Sequence, residues 1–164
     1  MSRPVVLCHG AWHGSWCWER VTPYLDAANG RWVAPDLPSV ASASTGANQT
    51  EDNLAVREAL DRLSGNDKAI LLGHSRGGSV ITEAGTHDRV GHLVYLTAFL
   101  GLENEDTMPY RSDALNQCLE VQVDGTITVN PELAKTVFYN EHKEQDFAWA
   151  ARHLEHGDRR AAPS

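Results

Sequence analysis

The stretch LLGHSRGGSV, residues 71–80, decides how this chain is read. An apolar run leads into Gly73-His74-Ser75-Arg76-Gly77, and a helix-compatible segment follows. Glycine, any residue, serine, any residue, glycine between a strand and a helix is the pattern of a nucleophile elbow. The serine occupies a sharp, strained turn, so that its hydroxyl stands clear of the sheet. Gly73 and Gly77 then leave room for strand and helix to approach, and Gly78 adds more. The start of the following helix carries partial positive charge and free N–H groups. The backbone N–H of Arg76, directly after the serine, is placed to receive a developing oxyanion. Ser75 is therefore the candidate nucleophile.

A second oxyanion donor has to come from the loop after the first strand. Pro4–Cys8 (PVVLC) reads as that strand, and His9-Gly10-Ala11-Trp12 follows it. The N–H of Ala11 is the candidate donor, with that of Trp12 as the alternative. Trp12 and His13 are candidate pocket-lining residues.

Outward from these two turns, short apolar runs alternate with amphipathic ones. Trp16–Ala28 reads as a helix with Trp18, Val21 and Leu25 on one face, stopped by Gly30. Arg31–Ala34 is a second strand and Ser39–Thr50 a polar loop. Glu51–Leu63 is a helix with Val56, Ala59, Leu60 and Leu63 inward. Lys68–Leu72 is a third strand, a helix runs to about Thr86, and His92–Leu100 is a fourth strand. Strands alternating with helices imply a mainly parallel sheet with helices on both faces, its strands reading as continuous apolar runs. Beyond residue 101 the pattern changes. Leu119–Val129 reads as a hairpin around Asp124-Gly125, and Pro131–Tyr139 and Glu144–Leu154 read as helices.

Composition narrows the partners. The 164 residues carry 14 Lys plus Arg against 22 Asp plus Glu, a formal net charge of −8. That balance argues against a nucleic-acid partner and against an anionic membrane surface. No stretch approaches the ~20 apolar residues of a membrane span. Cys8, Cys17 and Cys118 are odd in number and irregularly spaced, which predicts neither a disulfide framework nor a zinc site. A reducing cytoplasm is the simplest compartment. Asn48-Gln49-Thr50 matches a glycosylation sequon, which in a cytoplasmic chain is expected to be a chance match. A dinucleotide-binding fold fits poorly, because the first strand leads to HGAWHG and not to a G-x-G-x-x-G turn.

The chain resembles the α/β-hydrolase superfamily. More narrowly, it resembles compact bacterial hydrolases related to plant methyl esterases and hydroxynitrile lyases. The matching stretches are VVLCHGAWHGSWCWERVTPYL (5–25), VAPDLPS (33–39), LLGHSRGGSVITEAG (71–85), HLVYLTAFL (92–100) and, more weakly, VFYNEHKEQDFAWAARHL (137–154). The resemblance implies an α/β-hydrolase fold and a Ser–His–Asp triad with an oxyanion hole. It implies a small-molecule ester or related acyl substrate, with no metal and no organic cofactor. It makes residues 1–102 the core with four strands, 103–154 a cap-like segment over the pocket, and 155–164 a tail.

The family places its acid and histidine after two further strands, and this sequence stops before either, so the fold is expected to be C-terminally truncated. A serine hydroxyl is a weak nucleophile without a base. His9 reads as structural and His13 as pocket lining. His74 adjoins its own serine, and His87 and His92 lie away from the site. His142, His153 and His156 belong to the cap or tail. Asp36 reads as tying its loop, and Glu103 and Asp106 follow the fourth strand, where some hydrolases place the acid. Trp16 and Trp18 read as core, and the Arg76 side chain as solvated. The function expected is a carboxylesterase-type serine hydrolase, weak or inactive as this chain alone. A truncated, non-catalytic remnant or small-ligand binding protein is the alternative. With its flanking strands absent, the apolar strand 92–100 would form an edge through which copies of the chain associate.

Overall fold

The computed structural model describes residues 3–41, 48–100, 111–123 and 126–154. Four parallel strands form the main sheet: β1 Val5–Cys8, β2 Trp32–Val33, β3 Ala69–His74 and β4 Val90–Leu96, in the order β2-β1-β3-β4. Cys8 pairs with Gly73 and His74 with Leu96, so β1, β3 and β4 end along one border of the sheet. The HG loop and the Ser75 turn leave from that border, where open parallel sheets bind their ligands.

Between the strands run a 3-10 turn, Ser15–Trp18, and helices α1 Thr22–Ala27, α2 Pro38–Ala41, α3 Gln49–Asp61 and α4 Gly77–Ala84. The helix expected over 16–28 is broken in two. Its expected inner face is broken with it: Trp18 is buried, but Val21 is exposed. Pro23 explains the second start, since proline fits the first turn of a helix and not its interior.

The main core joins Val6 and Cys8 of β1, Ala69 and Leu71 of β3, Val56 and Leu60 of α3, and Val80 and Ile81 of α4. Burial along β3 alternates: Ala69, Leu71 and Gly73 are buried, while Ile70, Leu72 and His74 are only half-buried. The α3–α4 pair seals one face more completely than the other, so the strand has an in-out period despite its continuous apolar sequence.

The second part of the chain contributes α5 Asp113–Cys118, the antiparallel pair β5 Leu119–Val121 and β6 Ile127–Val129, α6 Pro131–Phe138 and α7 Glu144–Ala151. The hairpin expected at 119–129 is present, with its Asp124-Gly125 turn outside the described residues. Cys118, Val129 and Ala134 form a second core cluster with Ala11 and Trp12 of the HG loop. Trp12 binds the two parts directly, its indole Nε1–H donating to Ile127 O at 2.8 Å.

Among the described residues β4 is the outer strand of its side, and Leu93, Val94 and Leu96 are 36%, 40% and 45% exposed. No helix of the described residues is long and apolar enough to cross a membrane. Cys8, Cys17 and Cys118 are all free thiols.

Candidate active site

Ser75 adopts φ +52°, a left-handed conformation that is uncommon for a residue with a side chain. It links the last residue of β3 to the start of α4. The surrounding glycines show why the chain can turn there. A Cβ on Gly73 would stand 2.5 Å from Gly77 O, and one on Gly77 would stand 2.7 Å from the carbonyls of Cys8 and His9. Strand, turn and helix are in backbone contact, and only glycine fits. The next segment of chain is stitched to the turn, with Phe99 N–H donating to Ser75 O at 3.1 Å.

The HG loop lies beside this turn. A Cβ on Gly10 would stand 3.0 Å from Ser75 Cβ. His9 holds the loop with both ring nitrogens. Its Nδ1–H donates to Gly10 O at 2.8 Å and its Nε2 accepts from Leu37 N–H at 2.9 Å. Burial, foremost, keeps this imidazole neutral by lowering its pKa. Asp36 ties the same loop from the other side, accepting from Ser15 N–H at 2.6 Å. Ala11 is buried on this loop, and Arg76 occupies the cap position of α4, where backbone N–H groups have no partner within the helix.

Ser75 lines a cavity of about 520 Å³ between the sheet border and the second part of the chain. Its wall is strongly aromatic, with Trp16, Trp18, Phe138, Tyr139 and Trp149. His13 and His74 also line it, whereas Trp12, expected at the wall, is 5% exposed within the second core cluster. Trp16, expected in the core, faces the cavity and stacks on His13 at 5.2 Å and on His153 at 4.7 Å between ring centroids. A larger open cleft, about 760 Å³, lies at the β2 edge among Asp26, Arg31, Glu58 and Arg62, away from the elbow.

His13 is occupied on both sides. Its Nδ1–H donates to Ala11 O at 2.8 Å, which leaves Nε2 to accept the Tyr139 hydroxyl at 2.7 Å. Burial above all, then the neighbouring imidazoles of His74 and His9, bring its pKa down to about 4, against a favourable bond to Ala11 O. Burial also raises the Tyr139 phenol, which therefore stays a donor. Cys17, another wall residue, has its thiol pushed up to about 12 by burial, so it presents no thiolate to the cavity. His87 and His92 bond Asp61 and Arg3, far from the elbow. Glu103, Asp106, His156 and the 155–164 tail lie outside the described residues.

The Arg76 side chain overturns its reading as a solvated arginine. It is 14% exposed and pairs with the fully buried Asp52 at 2.7 Å. Sequence reasoning passed over Asp52, although its place on the α3 face that carries Val56 and Leu60 marks it as a charge turned inward.

Comparison with known proteins agrees with this geometry. A family model described as "Alpha/beta hydrolase family" matches residues 5–164. The chain belongs to the alpha/beta hydrolase family. It is 33% identical over 114 residues to a pFDCC methylesterase, MES16, of Arabidopsis thaliana, covering 66% of this chain and 44% of that one. It is 35% identical over 128 residues to a carbendazim-hydrolyzing esterase of Nocardioides sp. (strain SG-4G), covering 73% of this chain and 52% of that one. The chain thus spans about half the length of these relatives. Among solved structures, the Arabidopsis MES16 methylesterase superposes with a TM-score of 0.75 at 26% identity, over 96% of this chain and 67% of that one. A pyrethroid hydrolase from Sphingobium faniae JZ-2 gives 0.72 at 26% identity, over 87% and 63%. Both of these curated relatives are esterases by name.

Proposed function

We propose that the chain carries the nucleophile and oxyanion hole of a cytoplasmic serine carboxylesterase. Ser75 would form the acyl-enzyme, and the N–H groups of Arg76 and Ala11 would receive the oxyanion. The observation that carries this reading is the left-handed Ser75 at the start of α4, opening on an aromatic cavity. Flat aromatic walls favour a small, neutral, aromatic ester, whose ring can stack while its carbonyl reaches the turn.

Turnover by this chain alone is expected to be weak. His9 and His13 have both ring nitrogens bonded elsewhere, so neither holds a lone pair for the Ser75 hydroxyl. In serine hydrolases without a working triad, only ~10³–10⁴-fold enhancement over water remains, from the oxyanion hole and binding. p-Nitrophenyl ester hydrolysis should lie near background. A small fluorophosphonate should label Ser75 slowly, and Ser75→Ala should lose the label, as read by intact mass. Equal labelling of Ser75→Ala would overturn the assignment. Robust turnover abolished by Ser75→Ala would overturn the expected weakness, and substitution of His13 and His142 would then locate the base. The second reading is a ligand-binding protein without turnover. It is favoured by the same engaged histidines and is supported if an aromatic ester quenches tryptophan fluorescence but is returned intact.

Self-association through β4 is a further part of the proposal. Two copies of one outer strand can pair antiparallel about a twofold axis, satisfying both edges and covering Leu93, Val94 and Leu96. Sedimentation velocity at low micromolar concentration should show a dimer that Val94→Lys converts to monomer. A wild-type monomer overturns it.

A further inference from the structure

Asp52 is completely buried, yet it is an acid. Its Oδ1 accepts from Ser39 N–H at 2.9 Å, and its Oδ2 accepts from the Ser39 hydroxyl and from Arg76 Nη2, both at 2.7 Å. Burying two charges is costly before any pairing, and apolar residues of the same volume often hold a fold equally well. The arrangement is not a stability optimum either, since Arg76 Nη1 is buried without a hydrogen-bond partner. What the pair supplies, and apolar side chains would not, is direction. It pins the side chain of the residue after Ser75 to α3, and through Ser39 to α2.

The peptide N–H of that same residue is the oxyanion donor in the reading of Ser75 as nucleophile, on which this inference rests. The peptide joins a residue at φ +52° to the first turn of α4. Small rotations there swing the N–H away from the position the oxyanion would take. Displacements near 1 Å can cost about 100-fold in rate. We propose that Asp52 is a positioning residue for the oxyanion hole: acting through the Arg76 guanidinium, it fixes the direction of the Arg76 N–H, with Ser39 orienting Asp52 in turn. The Arg76 charge is therefore consumed by Asp52 and is not a binding group for anionic substrates.

The test uses the full chain as wild type, Asp52→Asn, Arg76→Met, the double variant, Arg76→Lys and Ser75→Ala. Thermal midpoint and the second-order rate of Ser75 labelling by a small alkyl fluorophosphonate are read side by side. Asp52→Asn and Arg76→Met each strand a buried partner and should lower both. The double variant removes both charges, so its midpoint should return most of the way to wild type while labelling stays at least about tenfold slower. A role in folding alone predicts that labelling recovers with the midpoint, and that result overturns the inference. If the double variant does not fold, Arg76→Lys and Ser39→Ala decide. A labelling loss at unchanged midpoint supports positioning, and unchanged labelling overturns it. Labelling of Ser75→Ala at the wild-type rate would instead mark failure of the nucleophile reading itself.

Discussion

Gly78→Ala is expected to cost about 3 kcal/mol, although alanine is the better helix former by ~1 kcal/mol at an unconstrained site. The reason is where α4 enters the sheet border. A Cβ on Gly78 would stand 2.3 Å from Phe99 O and 2.8 Å from Ala98 Cβ. The first of these is backbone, which cannot swing aside as a flexible side chain can. The segment it would push is the one whose Phe99 N–H bonds Ser75 O, so relief of the clash moves Ser75 as well. Against a typical total of about 5–15 kcal/mol, such a loss leaves a chain that is marginal at room temperature. Urea denaturation should show a lower midpoint at similar slope. Gly91→Ala is the control, because Gly91 lies on an exposed part of β4 and its Cβ would chiefly meet Lys68 Cβ at 3.0 Å, with no backbone atom closer than 3.6 Å. Its cost should be less than half as large. A Gly78→Ala protein as stable as wild type would mean that strand and helix meet less closely at the elbow than these distances require.

That crowding is the part of the fold most legible in the amino-acid sequence. Gly73, Gly77 and Gly78 around one serine have a single economical explanation, and the parallel order of the sheet follows from the strands and helices that flank them. Less legible were the places where a local signal competes with a longer one. Asn48 falls near the end of the polar stretch 39–50, yet it opens α3. Its side chain accepts from Thr50 N–H at 2.7 Å while Glu51 accepts from Asn48 N–H at 2.8 Å. The Asn-x-x-Glu spacing of a capping box was there to be read. Likewise Ser112, whose side chain accepts from Leu115 N–H at the start of α5, marked a helix that hydrophobic period alone did not reveal.

For the site, residues in the two turns could be placed by chain position alone, because a parallel sheet brings the ends of β1 and β3 to one border. The cavity wall could not be placed so. Trp12 and Trp16 are four residues apart and equally apolar, and their fates depend on which one meets the second part of the chain. Trp12 reaches Ile127 O and the second core cluster, while Trp16 is left facing the cavity. The Asp52–Arg76 pair is a contact between residues 24 apart, and no local pattern announces the partner of a buried charge.

The buried imidazoles of the HG loop and the Ser75 turn also set an acid limit on stability. His9, His13 and His74 each have a folded-state pKa below the ordinary 6.5, with burial as the leading cause, and that of His13 falls to about 4. Above pH 6.5 these imidazoles are neutral in both the folded and the unfolded chain, and stability does not depend on their titration. Below 6.5 the unfolded chain takes up protons that the folded chain refuses, so folding weakens as pH falls. For His13 the loss continues down to about pH 4, where the folded form begins to protonate as well. With 1.36 kcal/mol per pH unit, His13 alone accounts for a loss of roughly 3 kcal/mol across that window. Ordinary carboxylates, near 4, titrate mostly below it, so a midpoint that declines between pH 6.5 and 4.5 reports the histidines. His13→Gln keeps a neutral donor and acceptor beside Ala11 O and the Tyr139 hydroxyl and removes the titration. Melting curves at pH 7.5, 6.0 and 5.0 should therefore decline steeply for wild type and more gently for His13→Gln. Parallel declines in the two proteins would mean that His13 is protonated in the folded state well above pH 4. It would then donate from both nitrogens, and the Tyr139 hydroxyl would have to turn to accept.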